Sequence, residues 1–220
     1  MSHIRGVILD VDGTLVDSND AHAHCWVRAL TEAGHNVEFN QIRRLVGMGG
    51  DNLLPESVRV EKESSEGKQI AERYMEIFKS DYLPHLTAFP GTREMVAKLQ
   101  DNGLHIVIGS SSETEVLDTL LKIADVADLI EQTVSSKDAK NSKPDADTVL
   151  VALDKLKLQP DETVMLGDTP YDISAATKAG VKTIALRCGG WPDADLHDAW
   201  AIYDDPMDFV SRYDQSPLAR

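Results

Sequence analysis

Apolar residues along this chain follow two rhythms. Short continuous runs, rich in β-branched side chains, occupy residues 4–9, 104–109, 129–134, 163–167 and 181–186. Runs of this length, apolar for most of their positions, predict parallel strands buried on both faces. Between them, apolar positions recur three and four apart, which predicts helices over residues 92–103, 116–123, 145–156 and 173–179. Gly103 and Gly180 stand where helices of this kind terminate. Ser112 and Glu115 have the spacing of a capping box for the helix that follows. Strand–helix alternation predicts an α/β fold, a doubly wound parallel sheet. After Trp191-Pro192 the rhythm weakens to Ala201-Ile202-Tyr203 and a short helix near Phe209.

One stretch departs from the alternation. No strand pattern is present between about residues 18 and 84. Ala21, Cys25, Ala29 and Leu30, with Trp26 beside them, mark a helix closed by Gly34. Asn40 stands as the cap of a second helix carrying Ile42, Leu45 and Val46. Met48-Gly49-Gly50-Asp51 reads as a loop, and residues 64–82 as a longer helix burying Ile70, Tyr74, Ile77 and Phe78. A helical block inserted directly after the first strand predicts a separate small lobe. The expected division is a core of residues 1–16 and 85–220, and an α-helical cap domain of residues 17–84 with hinges near Asp17 and Pro84.

The polar residues at the strand ends carry the candidate chemistry. The first strand runs into Asp10-Val11-Asp12-Gly13-Thr14. In extended chain the two carboxylates would face opposite ways. They meet at one centre only if the strand stops at Asp10 and the backbone turns, with Gly13 providing the freedom to turn. Such a pair suits a nucleophile with a proton donor, two ligands for a hard cation, or a capped polar turn. The companions decide among these. Ser110 and Ser111 end the second strand, Asp168 ends the fourth, Asp172 follows one helical turn on, and Lys143 precedes a helix. In a parallel sheet these ends face one side and converge.

The set reads as phosphoryl transfer. Asp10 would attack phosphorus, with Mg2+ offsetting its repulsion from the phosphoryl oxygens. Asp10, Asp168 and one backbone carbonyl, that of Asp12, are suitable hard ligands. Ser110 would donate to a phosphoryl oxygen, and backbone N–H groups near Val11, Asp12 and Ser111, in the turn made by Gly13, would bind the others. Lys143 would stabilise developing charge and keep Asp10 ionised. Asp12 would protonate the leaving alkoxide and then activate water. Asp172 is expected to order Lys143 or a metal-bound water, and Thr14 to support the turn. His22 is expected either at the entrance between cap and core or on the surface. Spacing rules out a shared metal site for His22 and His24.

Charge and composition narrow the partners. The 220 residues carry a net charge of −15, which disfavours nucleic acid and anionic membranes. A phosphate site in such a field needs local cations. Cys25 and Cys188 are too few and too scattered for a disulfide framework or zinc site. Residues 1–7 hold no long apolar leader, and no apolar stretch has membrane-spanning length, so a cytoplasmic location is the expectation. Asp193, Asp195, Asp204 and Asp205 read as a solvated acidic face. Either a monomer or a homodimer is compatible with the sequence.

Taken together, Asp10-Val11-Asp12-Gly13-Thr14-Leu15, Ser110 after Ile106-Val107-Ile108-Gly109, Lys143-Pro144, and Gly167-Asp168-Thr169-Pro170-Tyr171-Asp172 resemble, in this order, the four motifs of the haloacid dehalogenase superfamily. Ala146 departs from the third motif, where a second proline is frequent. The helical insert is similar to the cap of the phosphoglycolate phosphatase and β-phosphoglucomutase branch. The resemblance implies a Mg2+-dependent phosphatase acting on a small phosphorylated metabolite, because Asp12 stands where phosphatases and phosphomutases carry an acid. It also implies substrate contacts from the cap, with His22, Gly47 and Arg43 as candidates. The mutase alternative is disfavoured by the absence of a cation at the tip of residues 46–51, although Arg43 and Arg44 lie close by. A non-enzymatic phospho-receiver or binding protein is the alternative from another class. It would lack Asp12 as a paired acid and an insert of this length.

Overall fold

The computed structural model describes residues 3–219. Six parallel strands form one sheet: β1 (Gly6–Leu9), β2 (His105–Gly109), β3 (Gln132–Val134), β4 (Thr163–Gly167), β5 (Lys182–Leu186) and β6 (Ala201–Tyr203). Their order is β3-β2-β1-β4-β5-β6. The predicted doubly wound α/β architecture is present.

Alternate side chains of the central strands enter different cores. Val7, Leu9, Ile106, Ile108, Val164 and Leu166 point to one face, where they join Met95, Val96 and Leu99 of α5 (Thr92–Asp101) and Val116, Leu117 and Leu120 of α6 (Thr114–Ile123). Ile8, Val107 and Met165 point to the other, against α7 (Asp147–Leu156) and α8 (Pro170–Lys178). Burial on both faces is why these strands lack the polar alternation of a one-sided sheet.

Register places the site. Leu9 lies opposite Ile108 on one side and Leu166 on the other. Asp10 is therefore level with Gly109 and Gly167, and Ser110 and Asp168 stand one residue beyond. The chain runs outward from β1 to β3 and returns to β4 on the opposite flank of β1. That reversal leaves a crevice at the C-terminal strand ends, where open α/β sheets bind ligands.

Among residues 17–84 no strand belongs to the sheet. The helices there are α1 (Asn19–Glu32), α2 (Phe39–Arg43), α3 (Gly50–Val58) and α4 (Ser65–Ile77). Ser64 caps α4 by accepting the Gly67 N–H at 3.0 Å, and the helix continues as a wider π-turn over Phe78–Tyr82.

Several local expectations are corrected. Glu38, not Asn40, precedes α2, which stops at Arg43, so Leu45 and Val46 lie in the following turn. The third strand spans only Gln132–Val134. Ala201–Tyr203, illegible as a strand because it is short and half-exposed, pairs with β5. Glu113 occupies the cap position of α6, because the Ser112 hydroxyl is used elsewhere. The late aspartates Asp193 and Asp204 are solvent-exposed as expected, and they also pair with cations. Asp193 and Asp204 flank Arg187, Asp195 pairs with Arg44, and Asp205 caps the helix Pro206–Ser211.

Replacing Ile8, fully buried at the sheet centre, with alanine is expected to cost about 2–5 kcal/mol of stability. Urea denaturation reads this directly, with a lowered midpoint.

Candidate active site

The acidic centre forms where β1 and β4 end side by side. The Asp10 N–H donates to the Leu166 carbonyl at 2.9 Å, which extends the ladder by one residue. The chain then folds back, with the N–H groups of Leu15 and Val16 both reaching the Val11 carbonyl. Gly13 takes φ of 75° in this turn, and a Cβ there would lie 2.1 Å from Asn19 Nδ2 and 2.3 Å from Asp168 Oδ2. Position 13 thus needs glycine both for its backbone conformation and for space.

Lys143 crosses beneath the centre. Its ammonium lies 2.5 Å from Asp10 Oδ1 and 2.7 Å from Asp172 Oδ1, with the side chain almost wholly buried. Asp172 is held by a capping box at the start of α8: Oδ2 accepts the Thr169 N–H at 3.0 Å and the Thr169 hydroxyl at 2.7 Å. Asp168 accepts from the Thr14 hydroxyl at 3.0 Å and from Asn19 Nδ2 at 2.8 Å. Thr14 therefore ties the turn after β1 to the end of β4.

Burial dominates the electrostatics. It pushes the Asp10 carboxyl well above its ordinary range, and Asp172 and Asp168 add to this, while Lys143 opposes it. Asp168 is pushed up to about 7 by burial and by Asp172. Burial alone would lower the Lys143 ammonium, but Asp10 and Asp172 outweigh it and hold the group charged.

Asp12 points away from this cluster. Oδ1 accepts from Ser18 at 2.6 Å and meets His22 Nε2 at 2.8 Å; Oδ2 accepts from Ser112 at 3.0 Å. Burial would raise its pKa, yet His22 and the two hydroxyls overcome that and hold it at about 2. His22 is buried rather than on the surface. Its Nδ1 meets the Tyr74 hydroxyl at 2.7 Å and its ring stacks on Phe78 with centroids 4.3 Å apart.

Asp10, Asp12, Lys143, Ser111 and Ser112 share a cavity of about 280 Å³ with His22, Trp26, Gly47, Asp51 and Tyr74 of the helical insert. Ser110 is buried at the end of β2, where its Oγ accepts the Ser112 N–H at 3.0 Å. Gly47 approaches Thr169 so closely that a Cβ would lie 2.6 Å from its methyl. Arg43 turns away from the cavity, to Asp20 and the Gly189 carbonyl, and Arg44 turns to Asp195. A larger groove, about 490 Å³, lies beside the N-terminal ends of β1 and β2 and holds none of the predicted residues.

Sequence reasoning missed Ser18, Asn19, Tyr74 and the Ser112 contact. Ser18 and Asn19 sit at the start of α1, where short polar residues read as ordinary caps. The polar run Asp17-Ser18-Asn19, directly after the first motif, was the available signal.

The centre suits a divalent cation. Asp10, Asp168 and Asp172 each offer an oxygen within 4.8 Å of the others, and all three are buried. Three carboxylates face one ammonium, which leaves two negative charges uncompensated when all are ionised. Hard oxygen donors of this kind match Mg2+. The sequence-based ligand set, Asp10, Asp12 and Asp168, shares two members with this cluster. Asp12 can join it only through its backbone, since its carboxylate is engaged with Ser18, His22 and Ser112.

The structure is thus a parallel α/β sheet, acidic and lysine-bridged at its C-terminal edge, with helices of residues 17–84 lining the cavity there. Residues 7–186 match the haloacid dehalogenase-like hydrolases, and the chain belongs to that family. It is 27% identical over 216 residues to a phosphoglycolate phosphatase of Aquifex aeolicus, covering 96% of this chain and 97% of the relative. It is 24% identical over 209 residues to an N-acetylmuramic acid 6-phosphate phosphatase of Pseudomonas putida, covering 93% and 94%. The crystal structure of a hydrolase from Pseudomonas syringae superposes with a TM-score of 0.89 at 26% identity, covering 96% of this chain and 98% of that one. Among the described residues, no helix is long and apolar enough to cross a membrane.

Substituting Lys143 by methionine leaves Asp10 and Asp172 buried without their cation, expected to cost about 3–5 kcal/mol. Asp10 already has a raised folded pKa, so the folded state holds its proton more tightly than the unfolded chain does. Stability therefore falls as pH rises through that pKa. With chelator present, urea midpoints should show the variant's deficit at pH 8 narrowing toward pH 5.

Proposed function

We propose that this protein is a Mg2+-dependent phosphatase that hydrolyses a small phosphomonoester through an aspartyl-phosphate on Asp10. The observation that carries this reading is the pairing at the end of β1. Asp10 lies 2.5 Å from Lys143, and Asp12, with a separate set of partners, opens onto the same cavity. Two carboxylates in contrasting environments suit a division into nucleophile and proton-transfer group.

Asp10 forms a bond to phosphorus through Oδ1 or Oδ2, and the bond from phosphorus to the ester oxygen breaks. Lys143 keeps Asp10 oriented and offsets charge on the phosphoryl oxygens. Asp12 enters the cycle protonated, by transfer from His22 Nε2 beside it, and delivers that proton to the leaving alkoxide. Asp12, then ionised, takes a proton from water as that water attacks phosphorus and the bond from phosphorus to Asp10 breaks, which leaves Asp12 protonated for the next turnover. Its donors Ser18, His22 and Ser112 favour the ionised form that this second step uses. Ser110, Ser111 and the backbone turn around Gly13 would receive the phosphoryl oxygens. Asp10 and Asp168, with the Asp12 carbonyl or Asp172, would hold Mg2+, which supplies electrophilic stabilisation of the transferring group when bound. Residues 17–84 act as a cap that excludes bulk water in the first step, moving about hinges near Asp17 and Pro84.

The direct check is release of inorganic phosphate from a panel of small phosphate esters. Release is expected with Mg2+ and is expected to vanish with EDTA. Metal-independent release would overturn the reading. Asp10→Asn, nearly isosteric, is expected to lower kcat by about a thousandfold or more while leaving the unfolding free energy, read from urea denaturation, within about 1 kcal/mol of wild type. Wild-type turnover in that variant would remove Asp10 as the nucleophile.

A further inference from the structure

The turn that follows β5 packs directly on Asp168. Residues 187–190 are closed by the Gly190 N–H, which donates to the Arg187 carbonyl at 2.8 Å. A Cβ on Gly189 would lie 1.8 Å from Asp168 Oδ2, so only glycine lets the turn come this close. Gly190 takes φ of 86°, and a Cβ there would lie 2.7 Å from the Arg43 guanidinium. The Cys188 thiol donates to the Gly13 carbonyl at 3.4 Å and ties the same turn to the loop after β1. Two helices of the insert hold this turn. Asn19, the buried first residue of α1, divides its side-chain amide between Asp168 Oδ2 at 2.8 Å and the Gly189 carbonyl at 3.0 Å. Arg43, at the end of α2, donates to the same carbonyl, and its Nε donates to Asp20 Oδ1, beside Asn19, at 2.7 Å. A ring of hydrogen bonds thus closes through α1, α2 and the turn. The Asn19 amide cannot be reversed, since its oxygen would then face two acceptors.

We propose that Asn19 and Arg43 are positioning residues for the metal centre: through their shared acceptor, the Gly189 carbonyl, they seat the 187–190 turn on Asp168, so that cation affinity depends on the grip of the insert. The inference rests on the reading of Asp168 as a metal ligand. With the Thr14 hydroxyl on Oδ1 and the Asn19 amide on Oδ2, both oxygens of Asp168 are anchored, and each keeps a lone pair for a cation. Hydrogen-bond partners of this kind orient a metal ligand, and their loss weakens metal binding about 10–100-fold. Arg43 is the distinctive member of the pair. Its hydrogen bonds go to Asp20 and Gly189 and not to the acids of the centre, so its influence on the cation passes through the turn.

The test uses the full chain without substrate and titrates it with Mn2+, a divalent probe suited to carboxylate oxygens, reading the free ion by electron paramagnetic resonance. Asn19→Ala is expected to weaken Mn2+ binding about tenfold or more, and Arg43→Met about threefold or more. Arg44→Met removes the same charge from the next residue but breaks only the contact with Asp195, and should stay within about twofold of wild type. The direction is diagnostic, because removing a cation near an acidic centre would by charge alone tighten Mn2+ binding. The double variant Asn19→Ala with Arg43→Met should lose less than the product of the two single losses, since both residues act on one carbonyl. Wild-type affinity in Asn19→Ala, unchanged or tighter binding in Arg43→Met, equal weakening in Arg44→Met, or losses that multiply would each overturn the proposal. The Arg43 side chain is 17% exposed and lies outside the acidic centre, so its arm of the test stands whether or not Asn19→Ala folds. Wild-type protein that binds no Mn2+ is a different failure, that of the metal reading itself, and takes this inference with it.

Discussion

The buried ammonium of Lys143 is the contact on which the rest of the centre depends. It lies between Asp10 and Asp172, and so joins the end of β1 to the start of α8 across the point where the sheet reverses its direction of growth. Without it, three buried carboxylates would offer oxygens within 4.8 Å of one another with no cation among them. With it, the excess negative charge drops to what one divalent cation can neutralise. On the proposed reading the same interaction serves stability and chemistry, since a pocket that takes a cation and a phosphoryl group is poorly neutralised without them. The raised carboxyls of Asp10 and Asp168 are the physical mark of that condition.

Two separate networks reach into the cavity from the helical insert. Through α1 and α4, His22 and Tyr74 meet Asp12. Through α3, Asp51 and Asn52 meet the backbone at Ser142 and Lys143. One network thus touches the carboxylate assigned to proton transfer, and the other the segment that orients the nucleophile. Any displacement of the insert would be felt by both. These polar contacts sit beside an apolar one, since Trp26, Leu53, Ile70 and Phe78 of the insert belong to the same buried cluster as Val11, Leu15 and Val116. Arg43 and Arg44 turn to Asp20 and Asp195 rather than into the cavity, whose cationic lining is Lys62, Lys140 and Lys143.

Much of this architecture was legible as pattern. Strands buried on both faces leave continuous apolar runs, so β1, β2, β4 and β5 announced themselves. β6 did not, because a three-residue strand at the sheet edge has too little apolar content to stand out. The polar strand ends gave the acidic centre, since parallel register alone brings Asp10 and Asp168 together. What stayed hidden was the set of contacts formed between residues far apart in the chain. Ser112 has perfect capping-box spacing for α6, yet its hydroxyl serves Asp12, and no local pattern distinguishes the two uses. Asn19 reads as a helix-start residue but holds Asp168. Asp51 lay in a stretch read as a loop. Its contact with the Ser142 N–H comes from the meeting of α3 with the 142–143 segment, which depends on tertiary packing.

The account centres on Asp10 as the group that carries phosphate. The most direct measurement is acid quench of the enzyme during turnover of a phosphate ester labelled with radioactive phosphorus, followed by peptide mapping of the denatured chain. Acyl-phosphates survive brief acid quench, and the account predicts label on the peptide containing Asp10 that disappears in Asp10→Asn. Label on another peptide, or active turnover with no protein-bound phosphate at any quench time, would contradict it.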